Sequence, residues 1–183
     1  MNTFLPNTIK LARYYKSLGD QAFVQISDGD IHWSAGESSN SIAAIVKHMC
    51  GNMRSRWTNF LFEDGEKPWR QRDTEFEDDI SNKKEMISKW NEGWNCFLGT
   101  LESLSENDLS KTIFIRNEGH SVLDAIQRQM AHYPMHVGQI VYAAKIMKGL
   151  DWVSLSITKG DSTSYNKEKF DLKKSNKHFT DEL

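Results

Sequence analysis

Cysteine is scarce in this chain, with two residues, Cys50 and Cys96, among 183. That excludes a disulfide framework and a thiolate zinc finger. Cys50 falls on the apolar arc of its segment, where a buried reduced thiol is expected, and a reducing cytoplasm fits this usage. An excess of one charge is also missing. Lysine and arginine total 23 against 25 acidic residues, a formal charge of −2. No basic stripe stands out, so there is no electrostatic case for nucleic acid. No stretch reaches the apolar length of a membrane span. The opening MNTFLPNTIKLARYY lacks a charged segment leading into an apolar run, so no secretory signal is expected. Strand-like alternation is almost absent as well. What remains, at 21.1 kDa, is a single soluble domain with one core.

Four long stretches carry the helical period. Leu5, Ile9, Ala12, Leu18, Ala22 and Ile26 form an apolar stripe over the first, with Pro6 suited to a first turn. Asn40 or Ser41 caps a second helix expected to reach about Phe62. Met86, Trp90, Trp94 (or Phe97) and Leu101 mark a third, over roughly Ser81 to Leu104. Ser121 with Asp124 resembles a capping box opening a fourth, which runs to about Met147. Pro134 lies inside it, where it removes one hydrogen bond and is expected to kink the helix. Between helices two and three, EDGEKPWRQRDTEFEDD is too charged and interrupted to be a packed helix and reads as solvated surface. Thr112, Phe114 and the Asn117–Gly119 turn suggest a short hairpin. The fold class is therefore all-α, a four-helix bundle with an irregular C-terminal segment. Residues 1–166 form the bundle domain, and 167–183 form a charged tail whose only possible anchors are Phe170, Leu172, Phe179 and Leu183.

His132 and His136 stand four residues apart in HYPMHVGQI. A four-residue step returns a side chain to nearly the same helix face, so two imidazoles can grip one ion. Chance gives about 0.2 such pairs in a chain of this composition, so spacing alone does not distinguish ligands from two histidines bonded to nearby carbonyls. His48 adds a third imidazole. On the second helix, Ile42, Ile45, Val46, Met49, Met53, Trp57 and Phe60 fall within about 120° of one another. His48 lies outside that arc, on a flank with Ala44, Gly51 and Ser55. His132 and His136 likewise edge an arc of Val122, Ile126, Val137, Ile140 and Ala144. Both helices thus place imidazole on a margin of small residues, where two helices can approach and leave a cleft.

These features resemble the DinB-type (YfiT-like) metal-binding four-helix bundles: one histidine on helix two, and HxxxH followed by Gly138-Gln139 on helix four. A subgroup of unknown function shares more specific pieces. They are similar to Gly51-Asn52-Met53-Arg54-Ser55-Arg56-Trp57, Asp64-Gly65-Glu66-Lys67-Pro68-Trp69-Arg70, Arg72-Asp73 and Leu155-Ser156-Ile157 with Gly160 and Ser162. Thr158 stands where that subgroup tends to carry proline. The resemblance implies an antiparallel bundle with long crossover connections, in which His48, His132 and His136 ligate one divalent metal, and a homodimer. Some relatives are thiol-dependent transferases or metal-dependent hydrolases, whereas the subgroup has no demonstrated activity.

Three neutral imidazoles leave a divalent ion an open position, with no obvious cysteine or carboxylate to close it. Zinc and nickel suit such donors best, and iron and manganese are also accommodated. A water or a low-molecular-weight thiol at that position would be activated toward a small electrophilic substrate. The rival expectation is a metal that ties the bundle together without turnover. A metalloprotease needs HExxH, and Tyr133 occupies the glutamate's place, so protease is rejected. Asn52, Arg56 and Gln139 are candidates to line the pocket or support the ligands, while Trp69, Arg70, Arg72 and Asp73 are candidates to cover its mouth. His32, His120 and His178 fit no helical ligand pattern.

Overall fold

A computed structural model of the chain describes residues 3–181. Its elements are α1 (Phe4–Gln25), α2 (Ile42–Trp57), α3 (Lys83–Ser103), a hairpin of β1 (Thr112–Ile115) and β2 (Glu118–Ser121), α4 (Val122–Lys148) and α5 (Ser162–Phe170). The architecture is all-α, with one two-stranded sheet. Helix α1 packs against α3 and α4, and α2 packs against the same two. The helices joined by the long connections, α1 to α2 and α3 to α4, therefore sit diagonally across the bundle. Among the described residues no helix is long and apolar enough to cross a membrane.

The apolar stripes are where the sequence places them. Met86, Trp90, Trp94, Phe97 and Leu101 of α3 are buried, as are Val122, Ile126, Val137, Ile140 and Ala144 of α4. Fully burying one large apolar side chain contributes about 1.5–3 kcal/mol, so this apolar core is the main source of cohesion. Gly19 lets it close: a Cβ there would stand 2.4 Å from the Trp90 ring. The caps form as well. Ser41 Oγ accepts from the Ala44 N–H at 3.1 Å, and Ser121 Oγ accepts from the Asp124 N–H at 3.0 Å. Helix α4 runs unbroken through Pro134.

Several expectations are corrected. Helix α2 ends at Trp57 rather than near Phe62, because Asn59 takes a left-handed conformation (φ +50°) and the chain turns away. Its buried surface is far wider than one apolar arc: Ala44, His48, Asn52, Ser55 and Arg56 are buried with the predicted residues. The extra cover is the 58–82 connection, expected to be solvated, whose Lys67 and Glu75 are only 5% exposed. The hairpin is present, but its turn centres on Arg116 and Asn117, both at positive φ, a type I′ pattern. Asp64 pins it, its carboxylate accepting from the Arg116 and Asn117 N–H groups at 2.8 Å each.

Beyond α4, Trp152 and Leu155 pack onto the core, and Gln25 of α1 exchanges two hydrogen bonds with the Val153 backbone. Helix α5, not anticipated, buries none of its residues. Phe170 and Leu172 are exposed, whereas Phe179 meets Tyr14 edge-on and Asp181 pairs with Lys10 at 2.5 Å. Leu183 lies outside the described residues.

Candidate metal centre

Helix α2 brings His48, and α4 brings His132 and His136, to one place. One ring nitrogen from each lies within 4.8 Å of the others, and among the described residues these three form the only cluster of potential ligands. His132 and His136 sit one turn apart on α4 with their Nε2 atoms 3.0 Å from each other. His48 faces both, with ring centroids 5.6 and 5.0 Å away, and Phe76 stacks on its other side at 4.8 Å.

Each imidazole is held by its Nδ1. That of His48 meets Glu75 Oε2 at 3.0 Å, that of His136 meets Gln139 Oε1 at 2.8 Å, and that of His132 meets Gln129 Oε1 at 3.3 Å. An acceptor at Nδ1 fixes the tautomer and turns the Nε2 lone pair toward the cluster. Two lone pairs facing each other at 3.0 Å repel unless a cation lies beside them. Burial, followed by the neighbouring His136 and His48, pushes His132 down to about 4, and burial likewise lowers His136. Both rings are therefore neutral near pH 7, the form that binds metal. The donor set, its tautomers and its mutual geometry all fit a divalent ion.

The Glu75 carboxylate is held in turn. Arg70 grips it with two hydrogen bonds, Nε to Oε1 at 2.7 Å and Nη2 to Oε2 at 2.9 Å. Burial alone would raise the Glu75 pKa, but the bonds from Arg70 and His48 outweigh it and leave the group below its ordinary value. Gly51 makes room for this approach. A Cβ there would stand 2.2 Å from Glu75 Oε1. Glu75 is thus committed to His48 and Arg70, and no fourth cysteine or carboxylate joins the three histidines among the described residues. Burial pushes the Cys50 thiol up to about 12, which leaves it an unreactive core residue.

A cleft of about 250 Å³ opens beside the triad, with His48 and His132 in its wall. The predicted Asn52, Arg56, Arg70 and Arg72 line it, whereas Trp69 lies beneath the Arg54 guanidinium, 5.3 Å from it, and does not. Asp73 is likewise outside the lining. Gln139 supports His136 rather than the cleft. Tyr133, in the place a protease would give to glutamate, is fully buried; its hydroxyl accepts from Trp57 Nε1 at 2.9 Å and donates to Asn52 Oδ1 at 3.0 Å. His32 bonds Asp78, His178 bonds Thr180, and His120 sits on β2, all outside the cluster.

Sequence reasoning missed Glu75, Gln129, Phe76, Arg116 and Arg128. Gln129 was within reach, since it precedes His132 by the same three residues that separate Gln139 from His136. The sequence profile of the family described as "Protein of unknown function (DUF1572)" matches residues 1–161. No curated protein matches the chain.

Proposed function

Because the chain belongs to this family of unknown function, its site must carry the argument, and we propose that it is a divalent-metal protein in which His48, His132 and His136 hold one ion with an open position facing the cleft. The observation that carries this reading is the division of labour on the rings: each Nδ1 is committed to an acceptor, the Nε2 atoms of His132 and His136 meet at 3.0 Å, and one nitrogen of each of the three rings lies within 4.8 Å of the others. We place the family with the DinB-type bundles on the same ligand pattern. The ion would be zinc or nickel, with iron or manganese as alternatives. When bound, it supplies a Lewis acid that acidifies a water or thiol.

The chain's own residues orient and exclude. Glu75 and the two glutamines lock the imidazoles, Phe76 and the folded 58–82 connection shield His48, and the cleft admits a small electrophile. The reaction class is a thiol-dependent transfer or a metal-dependent hydrolysis, in the cytoplasm. The rival is a non-catalytic module, favoured by one observation: the ligands come from two helices, so an ion would also tie α2 to α4. Cobalt substitution separates them. A visible spectrum that changes when a small thiol is added marks an open position; a spectrum indifferent to thiols and anions marks a position closed by protein and rejects the catalytic reading.

We also propose a homodimer. The outward side of α4 carries Met135, Tyr142 and Ile146, continued by Leu150 and Val153, all exposed. Such a stripe marks an association face. Light scattering at micromolar concentration should give twice the 21.1 kDa chain mass, and the monomer mass would reject the dimer.

A further inference from the structure

The cleft has an unusual chemistry: apart from the two imidazoles, everything polar on its wall donates. Five arginines line it, namely Arg56, Arg70, Arg72, Arg116 and Arg128, and a guanidinium has five N–H groups and no acceptor. The two primary amides on the wall are oriented to the same effect. Asn52 Oδ1 is taken by the Tyr133 hydroxyl, and Gln129 Oε1 is taken by His132 Nδ1, so each presents its NH2 as the free end. No carboxylate belongs to the lining among the described residues.

Nearby acids neutralise only part of this charge. Glu66 pairs with Arg56, Arg70 and Arg116, and Glu75 pairs with Arg70. Arg72 and Arg128 make no ion pair among the described residues, although both line the cleft. Arg56 is 7% exposed, and its buried Nε–H has no hydrogen-bond partner. A buried cationic donor such as the Arg56 Nε–H, left unpaired, raises the free energy of the fold unless an anion answers it, and the exposed Arg72 and Arg128 add charge that no acid among the described residues neutralises.

We propose that this cleft is an anion-binding subsite that seats the carboxylate or phosphate group of a small-molecule substrate beside the histidine triad. Guanidinium groups match both anions by paired hydrogen bonds, and five of them around one hollow select for charge rather than for shape. The volume, about 250 Å³, lies below the roughly 300–1,000 Å³ of drug-sized sites, so the ligand is metabolite-sized. The inference deepens the metal-centre reading and rests on it for the substrate's placement: an anchored anion would hold the electrophilic end near the triad. Binding of the anion itself does not require the metal.

The test titrates inorganic phosphate, and separately succinate, calorimetrically into full-length protein, both zinc-loaded and chelated. Wild type and the double variant R72Q/R128Q are compared, and both substituted positions are exposed, so folding is preserved. Saturable one-to-one binding is expected in loaded and chelated protein, weakened at least about tenfold in the double variant, since one charge-assisted hydrogen bond is worth about that factor. The variant's zinc content should equal wild type. A preference for phosphate or for succinate identifies which anion the subsite is built for. Equal affinity in variant and wild type, or no saturable binding of either anion, overturns the subsite. Binding that vanishes on chelation also overturns it, because the anion is then a metal ligand only. Failure of the metal reading would appear separately, as unchanged zinc content in H136A.

Discussion

The two sides of the histidine triad are supported in opposite ways. On α4 the support is local: Gln129 and Gln139 stand three residues from the histidines they hold, on the same helix. On α2 it comes from 27 residues away, through a carboxylate that a buried arginine must clamp first. Local support forms whenever the helix forms, and Gln139 stays exposed to water. Distant support exists only once the 58–82 connection has folded onto α2, past the gap left by Gly51. One side of the site is therefore part of a helix, and the other is part of the tertiary structure.

The ligands themselves should respond alike, and most strongly. Replacing His48, His132 or His136 by alanine is expected to abolish stoichiometric divalent metal in purified protein, while His120→Ala leaves it intact. Equal metal content in wild type and H136A, read by elemental analysis, would sink the shared site.

The sharpest contrast lies in the supporting residues. Glu75→Ala removes both hydrogen bonds that hold the Arg70 guanidinium, whose side chain is 2% exposed, and leaves it only the looser 3.6 Å pairing with Glu66. Breaking a buried pair this way costs about 3–5 kcal/mol, visible as a large drop in urea midpoint. Loss of the acceptor for His48 should also weaken metal binding about 10–100-fold. Gln139→Ala should weaken metal binding within that same range, yet move stability by no more than about 0.5 kcal/mol, because an exposed side chain leaves nothing buried and unpaired. If both variants lose similar stability, the distinction between local and distant support is wrong.

The same distinction explains what was legible in the sequence. Helices announce themselves by period, so α1 to α4, their stripes, the Ser41 and Ser121 caps and the three histidines could be read directly. Gln139 could be read for the same reason, and Gln129 obeyed the rule and was overlooked. Glu75 and Arg70 lie in a connection with no period at all. Charged residues there look solvated until a partner is known, and the partner is fixed only by folding. The error about α2 has the same root: its apolar arc counts helix neighbours, whereas the polar residues His48, Asn52, Ser55 and Arg56 are buried by the connection and the site. The shared motif from Asp64 to Arg70 marked this stretch as unusual without revealing that Asp64 caps the hairpin turn and Arg70 clamps Glu75.

The smallest effect on helical structure is expected from removing the metal altogether. The fully buried Trp57, Trp90, Trp94, Phe97 and Tyr133 form an aromatic layer continuous through ring contacts of 4.7–6.1 Å that need no ion. Each such side chain contributes about 1.5–3 kcal/mol by burial, far more in sum than the local geometry of three imidazoles. An ion that binds only the folded chain still adds RT ln(1 + [L]/Kd), about 2.7 kcal/mol at a hundredfold excess over Kd, so the melting temperature should fall on chelation. The helical circular-dichroism signal at room temperature should not. Because Glu75 and Arg70 hold His48 without metal, the α2 side should also keep its amide protection from hydrogen exchange, while slowed exchange is lost first around Gln139. Loss of helix on chelation would mean that the ion, not the aromatic layer, joins α2 to α4, and would favour the non-catalytic module. Retained helix with protection lost first at Glu75 would reverse the contrast between the two sides and make the loop the weaker support.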